Sequence, residues 1–155
     1  MLTALVAAAL ALYPKTTDPI HLLAQRDVEM TDGYGLLNDL LVSIGEPAEP
    51  PTLNNVTDIR FPIGVHPTLA EFRLLTKFPN LNSLYLPCKI PSGAIDVLKN
   101  CPKLETLSLS NSNASDKLLP AIAKIPGLKC LATENTMITE QAMENFSWPK
   151  QPDAR

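Results

Sequence analysis

The chain has 155 residues, enough for one compact domain, and 45% of them are apolar, so it can bury a core and is not a disordered segment. Its net charge is -3 and only 5% of its residues are aromatic. The first figure argues against neutralising a phosphate backbone and the second against a stacking platform for single-stranded bases.

From the N-terminus, Leu2 to Leu12 is an uninterrupted apolar run. It is far short of the ~20 residues that cross a bilayer. No Lys or Arg precedes it, as a secretory signal would require, and Pro14 stops it, so a buried cap helix is the expectation. Asp18-Pro19 is a helix start, with Asp as cap and Pro in the first turn. A second helix is expected from Tyr34 to Ile44, with Leu36, Leu37, Leu40, Leu41 and Ile44 on one face and Gly45 as its stop. Glu46 to Pro51 then reads EPAEPP, a Pro-rich linker.

The remainder repeats. Leu81, Leu84 and Leu86 have the spacing L-x-x-L-x-L; Leu104, Leu107 and Leu109 repeat it, and Leu128, Leu131 and Thr133 follow in register. Upstream, Val56, Ile59 and Phe61 fit the same frame, and the first positions are separated by 25, 23 and 24 residues. Phe78-Pro79, Cys101-Pro102 and Ile125-Pro126 each precede a strand. After the strands, Ile90, Ala114 and Ile138 share a column. So do Ala94, Leu118 and Ala142, then Ile95, Leu119 and Met143, then Leu98, Ile122 and Phe146. The strand apolar positions point to one side of a sheet, because side chains alternate with period 2. The later positions form one face of a short helix, and Ser115 with Asp116 and Thr139 with Glu140 supply cap chemistry. A Pro then ends each helix.

Over about residues 56–148 this pattern resembles the leucine-rich repeat family, whose periods are ~20–29 residues. Thr136 to Phe146, TMITEQAMENF, is similar to the post-strand segment of members with helices on the outer side. The resemblance implies an α/β fold: a leucine-rich repeat solenoid with a short parallel β-sheet, helices on the convex side and an N-terminal helical cap. The expected division is a cap at 1–50, about four repeat units at 52–148 and a tail at 149–155. The family's loop Asn maps to Asn111 and Asn135, but Cys88 fills that column one unit earlier. Asp18, Pro19, Ile20, His21 and Ala24 also resemble, weakly, the T-P-L-H-x-A motif of ankyrin repeats, over residues 18–45.

Catalytic candidates are few. Cys88, Cys101 and Cys130 form no CxxC pair, and the odd number at wide spacing is not a disulfide framework, so reduced thiols are expected. Cys101 falls in an apolar column, whereas Cys130 points outward from its strand and is the one thiol to test for reactivity. His21 and His66 lie far apart, and His66-Pro67 reads as loop. No phosphate-binding Gly motif or Ser-His-Asp grouping occurs, and no cofactor or metal is expected. Asn55, Asn113 and Asn145 open N-x-[ST] triplets that read as chance matches in an Asn-rich chain.

The outward strand positions remain: Asp58, Arg60 and Pro62; Ser83, Tyr85 and Pro87; Thr106, Ser108 and Ser110; Cys130, Ala132 and Glu134. Tyr and Arg are the usual anchors of protein interfaces. Asp58, Arg60, Tyr85, Ser108 and Glu134 are therefore the candidate contacts of a non-enzymatic adaptor that binds another protein, in an intracellular and cytoplasmic setting, without nucleic acid or membrane. The alternative is a structural piece of a larger repeat protein that self-associates through an uncapped C-terminal end, because no capping repeat follows Trp148-Pro149.

Overall fold

The structure is a computed structural model and describes residues 19–24, 26–31 and 52–149. The Leu2–Leu12 run, the Asp18 cap, the Tyr34–Ile44 helix, most of the Pro-rich linker and the residues after Pro149 lie outside the described residues.

Among the described residues, the fold is α/β, with a five-stranded, mostly parallel sheet and five α-helices. Helix α1 is Pro19–Ala24 and strand β1 is Glu29–Thr31. The turn between them carries Asp27 at φ 55, a left-handed conformation that Asp tolerates better than most residues. The Val28 N–H donates back to the Leu23 carbonyl at 3.3 Å, and both side chains are buried.

β2 (Asp58–Arg60), β3 (Ser83–Tyr85), β4 (Thr106–Ser108) and β5 (Cys130–Ala132) follow. They lie side by side in chain order, with β2 to β5 mutually parallel. Asp58, Ser83, Thr106 and Cys130 are successive partners; so are Ile59, Leu84, Leu107 and Leu131, and so are Arg60, Tyr85, Ser108 and Ala132. The register expected from the L-x-x-L-x-L spacing is the observed one.

β1 is a difference from the expected helical cap. It pairs antiparallel with β2, Met30 opposite Ile59, and covers that edge of the sheet. Three residues of mixed polarity, Glu-Met-Thr, carry too little alternation to mark a strand. Tertiary pairing makes the strand.

The connecting helices are short. α2 (Leu69–Leu74) continues as a 3-10 turn through Lys77. Its start is fixed by Thr68: the Glu71 N–H donates to Thr68 Oγ1 at 3.3 Å, and the Thr68 N–H donates to the Glu71 carboxylate at 2.6 Å. This reciprocal cap satisfies two otherwise orphan N–H groups. α3 is Ala94–Leu98, entered through Gly93 at φ 77. α4 (Leu119–Ile122) is preceded by a 3-10 turn, Asp116–Leu118, and α5 is Glu140–Glu144. Of the two expected caps, Thr139 bonds the Ala142 N–H at 3.2 Å. Ser115 stands at the predicted position without a side-chain cap bond. Asp116 reaches across to the next connection instead, where it accepts from the Thr139 N–H at 2.8 Å and from Thr139 Oγ1 at 3.1 Å. The carboxylate ties two units together rather than capping its own.

The core lies between sheet and helices. Ile59, Leu84 and Leu107 in the central strand column, Phe61, Leu86 and Leu109 in the next, and Phe78, Cys101 and Ile125 before the strands are all buried. Phe61 stacks on Phe72 with ring centroids 5.9 Å apart. Fully burying one such side chain contributes about 1.5–3 kcal/mol relative to leaving it in water. Repetition of the column along the sheet is therefore what offsets the entropy of ordering so many short elements.

The candidate open-face site

Side chains alternate across a strand, so burying Ile59, Leu84 and Leu107 turns their neighbours to the opposite face. Asp58, Tyr85, Thr106, Ser108 and Ala132 are half-buried there, Arg60 and Cys130 are exposed, and Ser83 is nearly covered. The β1 partner of Arg60 is Glu29, itself exposed.

Four of the five candidate contacts have defined surroundings. The Arg60 guanidinium carbon lies 4.5 Å from the Tyr85 ring centroid. The pair occupies adjacent strands at matched positions, so the stacking follows from the register. A cation at that distance is attracted by the ring face, and the contact holds two large side chains in one orientation. Asp58 accepts a hydrogen bond from Thr57 Oγ1 at 2.5 Å. Glu134 accepts one from Ser110 Oγ. That bond and a bond to the residue's own backbone hold its carboxyl below the usual carboxylate range, outweighing slight desolvation. Ser108 lies between Tyr85 and Ala132 in the same register row.

The structure thus brings Asp58, Arg60, Tyr85 and Ser108 onto contiguous strands of one face. Glu134 lies beyond β5, coupled to the β4 side by Ser110 and by the Asn111 N–H, which donates to the Glu134 carbonyl at 2.9 Å. Lys129 and Glu105 form an ion pair at 2.6 Å on the two strands' N-terminal sides. The bond from Lys129 and its charge lower the Glu105 carboxyl.

The cysteines separate as their columns suggest. Cys130 is exposed, while Cys88 and Cys101 are buried, and loss of hydration pushes both buried thiols up to about 11. Those two are apolar packing groups at neutral pH. His66 is exposed, and its carbonyl accepts from Arg26 Nη2 at 3.2 Å.

Two structural contacts have no signal in the sequence columns. Asn113, which no column singled out, bonds the backbone of the preceding connection, whereas Asn111 and Asn135 do not. Asn113 Oδ1 accepts from the Ile90 N–H at 2.7 Å, and its amide donates to the Ile90 carbonyl at 3.5 Å. Asn111 and Asn135 bond each other at 3.0 Å and adopt left-handed φ of 61 and 54. Their column was legible, but the backbone conformation that redirects their amides was not. The second detail is Arg26, whose Nε lies 2.8 Å from Glu71 and links the β1 turn to α2.

Among the described residues, no three His, Cys, Asp or Glu side chains are grouped to hold a metal, and no helix is long and apolar enough to cross a membrane. No protein-family model matches the chain, and no curated protein matches it.

Proposed function

We propose that this chain is a leucine-rich repeat solenoid segment that binds another protein through the open face of its sheet, as an adaptor and not as an enzyme. One observation carries the reading. Four parallel strands stack in the register of the L-x-x-L-x-L columns, with Ile59, Leu84 and Leu107 buried and Leu131 half-buried on one side, while the other side presents a varied set of side chains. A repeat architecture divides labour in this way, with invariant packing behind and variable contacts in front.

Tyr85 and Arg60 are the anchors of the proposed contact. Their stacking limits the rotamer freedom that a partner would otherwise have to freeze. Asp58 and Glu134 are rim charges whose neighbouring hydroxyls already orient them. Ser108, half-buried between them, is small enough to let a partner approach the backbone. The chemistry suits a mixed polar and aromatic protein surface better than an ion or a cofactor. Three unbridged thiols support an intracellular, cytoplasmic setting.

The test is affinity capture from native cells with wild type and with Tyr85→Ala plus Arg60→Ala. Specific loss of a partner by the double variant, at unchanged circular dichroism, supports the reading. Equal recovery of every partner sinks the open-face assignment.

A further inference from the structure

We propose that the edge of the molecule where helices return to strands binds an extended acidic segment of a partner protein. Strands β2 to β5 are parallel, so each return from a helix to the next strand arrives at the N-terminal ends of the strands. The returns that follow α2, α3 and α4 cover residues 75–82, 99–105 and 123–129. They carry Lys77, Lys99, Lys103, Lys124 and Lys129, all exposed, against one carboxylate, Glu105. Elsewhere in the described residues the balance is reversed, with nine carboxylates to five cations. Charge is thus sorted to different parts of the molecule.

Helix polarity explains only part of this row. A helix C-terminus favours a cation near its last turn, which accounts for Lys77, Lys99 and Lys124. Lys103 and Lys129 lie at the strand ends of their returns, beyond that reach. Lys129 pairs with Glu105 at 2.6 Å, and among the described residues no carboxylate pairs with the other four. Lys103 has a neutral partner instead. Its Nζ donates to Asn80 Oδ1 at 2.6 Å, and Asn80 Nδ2 donates to the Asn54 carbonyl at 2.6 Å. These bonds place the ammonium without cancelling its charge, and they leave two of its three N–H groups for a ligand. Backbone bonds run along the same edge. The Asn82 N–H donates to the Thr57 carbonyl at 2.7 Å, Glu105 to Asn82 at 2.9 Å and Lys129 to Glu105 at 2.8 Å. The backbone under the lysines is therefore fixed before a partner arrives, which lowers the ordering cost of binding.

Spacing and residue type select the partner. Adjacent strands lie about 4.8 Å apart and packed helices about 8–10 Å, so cations one unit apart are separated by about 5–10 Å. Alternate side chains of an extended chain are about 6.6 Å apart, so a carboxylate at every second residue meets one unit after another. Lys offers a compact charge to a single carboxylate, and none of the five is Arg, whose planar fork suits phosphate. The observations favour an acidic polypeptide over a nucleic acid.

Fluorescence anisotropy with a fluorescein-labelled peptide of alternating Glu and Ser, titrated with the full chain, tests this. The expected result is saturable binding at low ionic strength that weakens as salt rises. Lys99→Gln plus Lys124→Gln, two exposed side chains without an ion pair among the described residues, is expected to weaken binding about fivefold at unchanged circular dichroism. Lys89→Gln plus Lys117→Gln, which changes the net charge equally but lies in the strand-to-helix connections, is expected to leave it unchanged. Absence of binding at low salt overturns the proposal, as does an equal loss in the two variants. Tighter binding of an oligouridylate of equal charge, or of phosphatidylserine vesicles, overturns the assignment to an acidic protein. This edge is distinct from the Tyr85–Arg60 face, so the Tyr85→Ala plus Arg60→Ala variant is expected to bind the peptide normally, and the two readings can fail separately.

Discussion

Truncating the central strand column one residue at a time gives a graded series with a definite order. Leu84 and Leu107 are fully buried and each has a column neighbour on both sides. Leu→Ala at such a site removes the transfer free energy of the side chain and leaves a cavity, a loss of about 2–5 kcal/mol. Packed strands on both sides limit collapse into the cavity, which places Leu107→Ala near ~3–4 kcal/mol. Leu131 packs against Leu107 on one side and is half-exposed on the other. Part of its surface is already in water and the gap opens to solvent, so Leu131→Ala is expected to cost roughly half as much. The assay is denaturant unfolding followed by circular dichroism, at protein concentrations low enough to hold the chain monomeric. The midpoints are compared at constant slope, since an altered slope would mean a changed end state. Equal losses for Leu107→Ala and Leu131→Ala would refute the reasoning, because they would make Leu131 as enclosed as the centre of the sheet.

Four further outcomes follow from individual contacts and from burial. Thr68→Ala breaks the reciprocal cap of α2 and is expected to cost about 1 kcal/mol in the same unfolding assay. For Glu71, burial, the largest single effect, raises the carboxyl, but bonds from the Thr68 backbone and hydroxyl and the charge of Arg26 together leave it lowered. Its folded form therefore favours the ionised state. The stability it supplies is present above the ordinary carboxylate range and is lost as pH falls through the lowered folded value, so Glu71→Gln should flatten the acid limb of stability against pH. Native protein is expected to consume one thiol equivalent of a disulfide reagent promptly, at Cys130, and the other two only on unfolding; prompt reaction of Cys88 or Cys101 would contradict their burial. Asn113→Ala leaves the Ile90 N–H without its partner and should cost about 1–3 kcal/mol, whereas Asn113→Asp, which keeps the acceptor, should cost less.

The parts of the fold legible in the sequence are those governed by periodicity. Ile59, Leu84, Leu107 and Leu131 recur at the interval of one strand, connection and helix, and the sheet aligns them. The outward positions come from the same alternation, which is why Arg60 and Tyr85 were legible as neighbours on one face. Their stacking was not, because it depends on rotamers. β1 escaped because Glu29–Thr31 has no strand signature of its own and is held by pairing with β2. α2 carries its signal in its cap. Thr68 and Glu71 form a T-x-x-E capping box ahead of Phe72 and Leu75, both buried, a local signal that lies outside the strand columns. The position of Asp116 at a helix start is legible and its partner Thr139 is not, since a carboxylate there serves its own turn or the neighbouring one with equal chemical ease.

Site-specific photo-cross-linking in the native cell tests the central claim most directly. A photoreactive amino acid at Ser108, on the open face, is compared with one at Lys117, an exposed residue of the connection between β4 and α4. Binding through the open face predicts a discrete partner adduct from position 108, lost in the Tyr85→Ala plus Arg60→Ala background, and none from position 117. A partner adduct from position 117 with none from position 108 would contradict it.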